Sequence, residues 1–366
     1  METVTVPADA LETYVVRIFE KAGCDPDEAR RIGENLVGAS LTGHDSHGVL
    51  RVPRYVSWLH EGKVRAGQTI TVVTESANHA VVDGNKGFGQ TTGPLAVDLG
   101  VAKAKESGLA VIGIRNTGHL GRIGAWAERA AAAGLVSVHF VNVGMGLLVA
   151  PFGGVDRRFG TNPFCVGAPR GDGEPPLLLD FATSLVAEGK VLVAAQGGKP
   201  IPGDALIAPD GQLSGDPEVL FGPVEGRTVL DASGGEGALR AFGDHKGSGI
   251  AFMCEILAGC LLGSPTGGSS PEGRRGGIVN GMLSFYLAPT HFAAEHFTEV
   301  AKDVTAYVKA SRPASPGGEV LVPGETEART RAARLRDGVP LPVTVWSGIR
   351  ATGEGVGLAE PDFGVG

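Results

Sequence analysis

No block of lysines or arginines interrupts this chain. Its 32 Lys and Arg are outnumbered by 40 Asp and Glu, which leaves a formal net charge of −8. Neutralising a phosphate backbone needs a basic footprint, so nucleic acid is not an expected partner. No apolar run is long enough for a bilayer either. The most apolar stretch, 250–262, is interrupted by Glu255 and falls short of the ~20 residues that a span requires. The N-terminal Met-Glu-Thr-Val-Thr-Val-Pro has neither the basic nor the apolar region of a secretory signal, so none is expected. Cysteine is scarce. Cys24, Cys165, Cys254 and Cys260 form no CxxC pair and lie mostly in apolar stretches, and they read as buried thiols in a reducing, cytoplasmic setting. The Gly-x-Gly-x-x-Gly dinucleotide fingerprint is missing as well. Gly118, Gly121 and Gly124 have the wrong spacing, and Gly247-x-Gly249 lacks a third glycine. There is no internal repeat and no heptad run.

What is present is globular. A chain of 366 residues, 42% hydrophobic, fills two domains or one large domain with an insertion. The 58 glycines follow no period and mark turns and close backbone approaches. The opening reads as helical from Pro7 and Ala8, turns at Cys24-Asp25-Pro26, continues as a helix over 27–41, breaks at 42–48, and resumes as a helix from Val52-Pro53 to about residue 62. Strand-like runs follow at 69–73, 80–83, 109–114, 136–141, 176–181 and 282–287. Helical patterns lie between and after them, at 92–106, 121–134, 187–196, 247–262, 292–310 and 325–337. Residues 199–239, rich in Gly, Pro and Asp, read as a long surface excursion, and 263–277 reads as a loop carrying Arg274 and Arg275. This alternation predicts an α/β fold.

Four polar clusters are candidates for chemistry. The densest, from His44 to Tyr55, holds His44, Asp45, Ser46, His47, Arg51, Arg54 and Tyr55 between two helices. Histidine moves protons near neutral pH and arginine grips a carboxylate with two hydrogen bonds. The plainer alternative is a capping turn, with Asp45 or Ser46 as cap. His44 and His47 also suit a metal, but no third ligand is near in sequence, and no metal is expected. The second cluster places His119 just past the strand at 109–114, where α/β sheets bind ligands; a loop histidine satisfying backbone groups is the alternative. The third ends an apolar strand at Asp180, which either orients a histidine or caps a helix. The fourth, His245-Lys246-Gly247-Ser248-Gly249, opens a long apolar helix. Its backbone amides and Lys246 suit a phosphate, against the alternative of an ordinary helix start.

Taken in order, "GHDSHGVLRVPRYV", "NTGHLGRIGAWAERA", "VAPFGG" with "GTNPFCVGAPR", "LLLDFATS", "AEGKVLVAAQGGKPIP", "HKGSGIAFMCEILAGCLLG" and "VPGETE" resemble the malate/L-lactate dehydrogenase family. The loop "GSPTGGSS" before "GGIVNGMLSFYLAP" is most similar to its hydroxycarboxylate dehydrogenase branch. The resemblance implies a non-Rossmann dinucleotide-binding α/β domain with a mixed sheet, joined to a mainly helical domain built from both chain ends. The corresponding boundaries are 1–70, 71–285 and 286–366. It implies a homodimer that uses NAD or NADP to interconvert a 2-hydroxy acid and its 2-oxo acid, or, in some branches, to reduce a cyclic imino acid. It places Ser46, Arg51 and Tyr55 around a small carboxylate substrate. It gives proton handling to His119, or to His47 paired with Asp180. It puts Asp180, Phe181, Ala182, Lys246, Gly324 and Glu325 on the cofactor. Two stretches depart from the pattern: 141–148 is longer and plainer than usual, and 225–243 looks inserted. The competing class is a binding protein that keeps the cofactor pocket without turnover.

Overall fold

A computed structural model describes residues 2–171, 173–195, 199–224, 232, 234–268 and 279–359. Arg274, Arg275 and residues 225–231 of the inserted stretch lie outside the described residues. The chain opens with a strand that its pattern does not announce, β1 (Thr3–Val6). Helix α1 (Ala8–Ala22) follows and buries Leu11, Val15, Ile18 and Phe19, one face at helical spacing. Helix α2 (Pro26–Leu41) starts where the turn predicts: the Asp25 carboxylate accepts the Glu28 amide at 2.9 Å, and Pro26 sits in the first turn. Two single 3₁₀ turns, Asp45–His47 and Val49–Arg51, then lead into α3 (Val52–His60).

The sheet region comprises β2 (Thr71–Glu75), β3 (His79–Asp83), α4 (Gly89–Ser107), β4 (Leu109–Thr117), α5 (Gly124–Ala132), β5 (Val136–Val143), β6 (Phe164–Ala168) and β7 (Leu177–Phe181). Next come α6 (Glu188–Ala195), β8 (Leu206–Ile207), β9 (Leu213–Ser214), α7 (Glu218–Phe221) and β10 (Ala238–Leu239). Helix α8 (His245–Cys254) runs on as a π-helical segment, Glu255–Cys260, before β11 (Asn280–Leu287). A seven-stranded sheet results, in the order β2-β3-β4-β11-β5-β6-β7. Its β3–β4 pair is parallel and its other pairs are antiparallel; β11 returns late in the chain to lie antiparallel between β4 and β5. The C-terminal part adds α9 (Phe297–Lys309), α10 (Glu325–Asp337), β12 (Val339–Pro342) and α11 (Val343–Gly355). Strand β12 pairs with β1, Thr3 opposite Pro342, so the two ends of the chain share a ladder.

Three apolar clusters hold the molecule. One draws on residues of α1–α3 together with Val339, Leu341, Trp346 and Ile349. The second packs α4 and α5 against the sheet through Val97, Trp126, Ile112, Ile114 and Tyr286. The third corrects the expected surface excursion at 199–239: Ala205, Leu206, Leu220, Phe221 and Leu239 are buried with Val149 and Val191. Gly, Pro and Asp punctuate short apolar runs there, and those runs fold on one another as the sheet β10-β8-β9. Cys260 corrects the cysteine expectation, being exposed at the end of the π-helical segment while Cys24, Cys165 and Cys254 are buried.

Candidate functional site

The loop after α2 is held from beneath. Ser40 Oγ accepts the Val49 amide at 3.1 Å. A Cβ on Gly48 would overlap that hydroxyl, so only glycine fits the turn. Neither expected cap acts as one. Asp45 reaches across to Arg334 of α10, with oxygens 2.5 and 3.1 Å from its guanidinium, and Ser46 Oγ lies 2.9 Å from His47 Nδ1. Arg51 Nε donates to the Ser46 carbonyl at 2.7 Å. The Arg51 side chain is buried and makes no ion pair among the described residues.

His119 arrives from the other side, two residues past the end of β4. Its ring stacks on His47 with centroids 5.4 Å apart and planes 19° apart. The Tyr55 hydroxyl, from α3, lies 2.6 Å from His119 Nδ1. Five of the residues expected at the substrate, Ser46, His47, Arg51, Tyr55 and His119, therefore form one cluster where the helical cluster meets the sheet.

The electrostatics are one-sided. Burial, assisted by Arg51, His44 and Arg122, pushes the His47 imidazole down to about 3. Burial, with Arg51, His47 and Arg54, holds His119 well below its usual range. Burial pushes the Tyr55 phenol up to about 12, against the opposing pull of Arg51 and the Gln90 hydrogen bond. Arg51 is lowered too, by burial and by neighbouring Arg54, with Glu188 and Tyr55 pulling the other way. Two neutral imidazoles beside a desolvated guanidinium form a pocket that an anion would relieve.

Asp180, at the end of β7, does not bond to His47. Its Oδ2 accepts the Gly124 amide at 2.7 Å, so it caps α5 rather than the helix that follows it in sequence. Burial raises its carboxyl, opposed by His44, the Gly124 amide and Arg122, so the imidazole that acts on it is His44. Phe181 packs edge-on against Phe242 at 5.2 Å, and Ala182 follows, half-buried. Gly324 lies along the same strand. At φ +94° a Cβ there would meet the Pro176 carbonyl at 2.8 Å, so glycine lets the turn ride close on β7. Glu325 is engaged by Lys309 at 2.5 Å.

The start of α8 corrects one expectation. The amides of Lys246, Gly247 and Ser248 already bond the carbonyls of Gly243, Phe242 and Asp244, so they are not free for a phosphate. The exposed Lys246 side chain is what remains for such a group. A cavity of about 690 Å³, lined by Lys105, Glu128, Arg170 and His291, lies at the opposite end of the sheet and contains none of these residues.

Sequence reasoning missed Gln90, Asn280 and Arg334. Gln90 bonds Tyr55 and the His119 carbonyl, Asn280 Oδ1 accepts the Leu120 amide at 2.9 Å, and Arg334 pins the loop. Gln90 and Arg334 stand in no motif, and Asn280 lies in the quoted stretch GGIVNGMLSFYLAP, where nothing marks its contact with Leu120; only the fold brings them in.

A family profile described as malate/L-lactate dehydrogenase matches residues 6–350. The chain belongs to the malate/L-lactate dehydrogenase family. Hydroxycarboxylate dehydrogenase B of Escherichia coli (strain K12) is 38% identical over 358 residues, 96% of this chain and 94% of that protein. The structure of malate dehydrogenase from Pyrococcus horikoshii OT3 superposes with a TM-score of 0.84 at 30% identity, covering 98% of this chain and 97% of that one. The delta1-piperideine-2-carboxylate reductase of Pseudomonas syringae superposes with a TM-score of 0.80 at 29% identity, covering 95% and 99%. Members of this family are oxidoreductases, and the mixed α/β architecture of this chain is theirs.

Proposed function

We propose that this chain is an NAD- or NADP-dependent 2-hydroxyacid dehydrogenase acting on a small carboxylate. The observation that carries the reading is the buried, unpaired Arg51 beside the His47–His119 stack. Arg51 grips the substrate carboxylate with its two terminal nitrogens while Ser46 holds its Nε. Ser46 and Tyr55 flank the substrate. An imidazole, His119 or His47, takes the hydroxyl proton on oxidation and returns it on reduction. Asp180 contributes its charge to the field around the histidines while the Gly124 amide holds it in place. The nicotinamide supplies or accepts the hydride.

The residues at the end of β7 fit a dinucleotide. Phe181 and Ala182 line that strand end, and Lys246 offers an exposed charge for a phosphate, whereas Gly324 packs a second turn against the start of the strand, at Pro176 and Leu178. Glu325 completes that turn. The sheet order supports a non-Rossmann cofactor domain over 71–285, with 1–70 and 286–366 forming a helical domain. The protein works in the cytoplasm as a homodimer.

The second reading is a reductase of cyclic imino acids, favoured by the superposition on the P. syringae reductase. Such a substrate presents the same carboxylate beside a C=N bond. Assaying 2-oxo acids and cyclic imines side by side with NADH and NADPH decides between them. Turnover of 2-oxo acids at least tenfold faster supports the dehydrogenase; faster imine reduction replaces it. Cofactor binding without turnover of either class would make this a binding protein.

A further inference from the structure

Gln90 lies in the first turn of α4, is almost wholly buried, and touches both partners of the Tyr55–His119 pair. Its Nε2 is 3.2 Å from the His119 main-chain carbonyl, 3.3 Å from the Tyr55 hydroxyl and 3.4 Å from Asn35 Oδ1. A main-chain carbonyl only accepts, so the atom facing it must be the amide nitrogen, and that fixes which way the side chain is turned. Its amide oxygen has no hydrogen-bond partner among the described residues, so the nitrogen's contacts are what hold it.

This orientation has a consequence for protons. The amide nitrogen has two hydrogens for three neighbours, and its two shortest contacts are the His119 carbonyl and the Tyr55 oxygen, so the Tyr55 oxygen receives an N–H from Gln90. If His119 Nδ1 also carried a proton, two donors would point at that oxygen and the buried phenol proton would have no acceptor. The satisfied arrangement is a single chain: Gln90 N–H to Tyr55 oxygen, then Tyr55 O–H to His119 Nδ1. The ring proton is then on Nε2, which makes no hydrogen bond among the described residues.

We propose that Gln90 is a positioning residue that sets the tautomer of His119, keeping Nδ1 as acceptor and Nε2 as the proton-bearing atom offered to the substrate. This rests on His119 being the proton-transfer residue. A proton leaving Nε2 for the substrate oxygen is replaced at Nδ1 by the Tyr55 proton; Nδ1 then returns that proton to the phenolate as Nε2 takes one from solvent, which restores the starting tautomer. Until then, the phenolate keeps the Gln90 hydrogen bond and the nearby Arg51 charge, both of which already oppose the effect of burial on Tyr55. Gln90 touches no reacting atom; it acts through Tyr55.

Nitrogen-15 NMR of the full-length protein reads the tautomer directly, with the His119 signals assigned by their loss in His119→Asn. In the wild type, Nδ1 is expected to be unprotonated and Nε2 protonated at pH 7. Gln90→Glu keeps the shape but offers an acceptor where there was a donor, so the phenol proton turns to the new carboxylate and Nδ1 becomes protonated. Its kcat should fall about ten- to a hundredfold with KM little changed. Gln90→Leu, which removes the donor alone, should weaken the tautomer preference with a smaller loss. Thermal melts check that both variants fold, and the wild-type spectrum needs neither of them. A protonated Nδ1 in the wild type, or an unmoved tautomer in both folded variants, overturns the proposal. A tautomer that moves while kcat stays constant supports the role of Gln90 and instead overturns His119 as the proton-transfer residue.

Discussion

The Tyr55 hydroxyl and His119 Nδ1 stand 2.6 Å apart although 64 residues separate them, one on a helix of the N-terminal cluster and the other beyond a sheet strand. The bond joins the two halves at the point where the substrate is expected. Tyr55→Phe leaves the ring packed and deletes the hydrogen bond. It should lower kcat about tenfold while the melting temperature falls by only a few degrees, since one buried hydrogen bond is worth ~1–3 kcal/mol when broken. Steady-state kinetics beside a thermal melt check both numbers.

His119→Asn and His47→Asn separate the two candidate proton carriers. The one that transfers the proton should lose ~10²–10⁴-fold in turnover. The other should lose far less, because its part is to stack and to shape the field. If both variants turn over at near-native rates, neither imidazole moves the proton.

Arg51→Lys keeps the charge and loses the fork. The variant should raise KM for the acid more than tenfold, and the carboxamide analogue of the substrate should lose most of its disadvantage relative to the acid. Equal acid-to-amide discrimination in wild type and variant would remove Arg51 from the carboxylate.

For Lys246→Ala, cofactor binding should weaken while acid-to-amide discrimination stays put. The first-turn amides of α8 are already bonded, so the loss should reflect the side-chain charge alone, about three- to tenfold. Fluorescence titration with NADH and NADPH reads it. A loss confined to NADPH points to the extra ribose phosphate, and unchanged dissociation constants for both take Lys246 out of the site.

Acid should destabilise the protein in a defined window. His47 and His139 are both pushed down to about 3 by burial, His139 being enclosed by Ser137 and Ser284. Once the pH drops below the ordinary imidazole value of about 6.5, the unfolded chain binds protons that the folded chain refuses. Stability is therefore full above that value and is lost as pH falls toward 3, by up to ~1.4 kcal/mol per pH unit for each histidine. Buried carboxyls such as Asp180 run the other way, so the test is a comparison. Urea denaturation from pH 5 to 7 should show a shallower slope in His139→Gln than in the wild type. Equal slopes would mean that His139 already titrates normally in the fold.

Local signals were readable in this chain where the physics is local. The Asp25-Pro26 start of α2 follows from capping, and the bounds of α10, Glu325–Asp337, match its run of helix-forming residues between Gly324 and Gly338. The strands β4, β5 and β11 were visible as apolar runs, but their order in the sheet was not, since nothing in β11 says that it inserts between the other two. Residues 199–239 misled because Gly and Pro signal turns without revealing that the short runs between them are buried together. The site divides in the same way. His47, Arg51 and Tyr55 share one loop and the helix after it, so their chemistry shows in the text of the chain. Gln90 looks like any polar residue in a helix's first turn, and its role exists only after α4 packs under His119. That Asp180 bonds the Gly124 amide rather than His47 depends on where α5 begins beside the end of β7, which composition does not encode.

The ladder between β1 and β12 sets an order of events at the ribosome. Residues 3–6 emerge long before their partners 339–342. The α1–α2 hairpin can form at once from local contacts, but the apolar face it keeps for Val339, Leu341, Trp346 and Ile349 stays uncovered until those residues follow. The substrate loop waits with it, since the arginine that pins Asp45 arrives only with α10. The sheet, whose strands are complete by residue 287, is finished earlier. A chain that has passed residue 287 but not residue 339 therefore holds every strand of its sheet beside a helical face still without its cover.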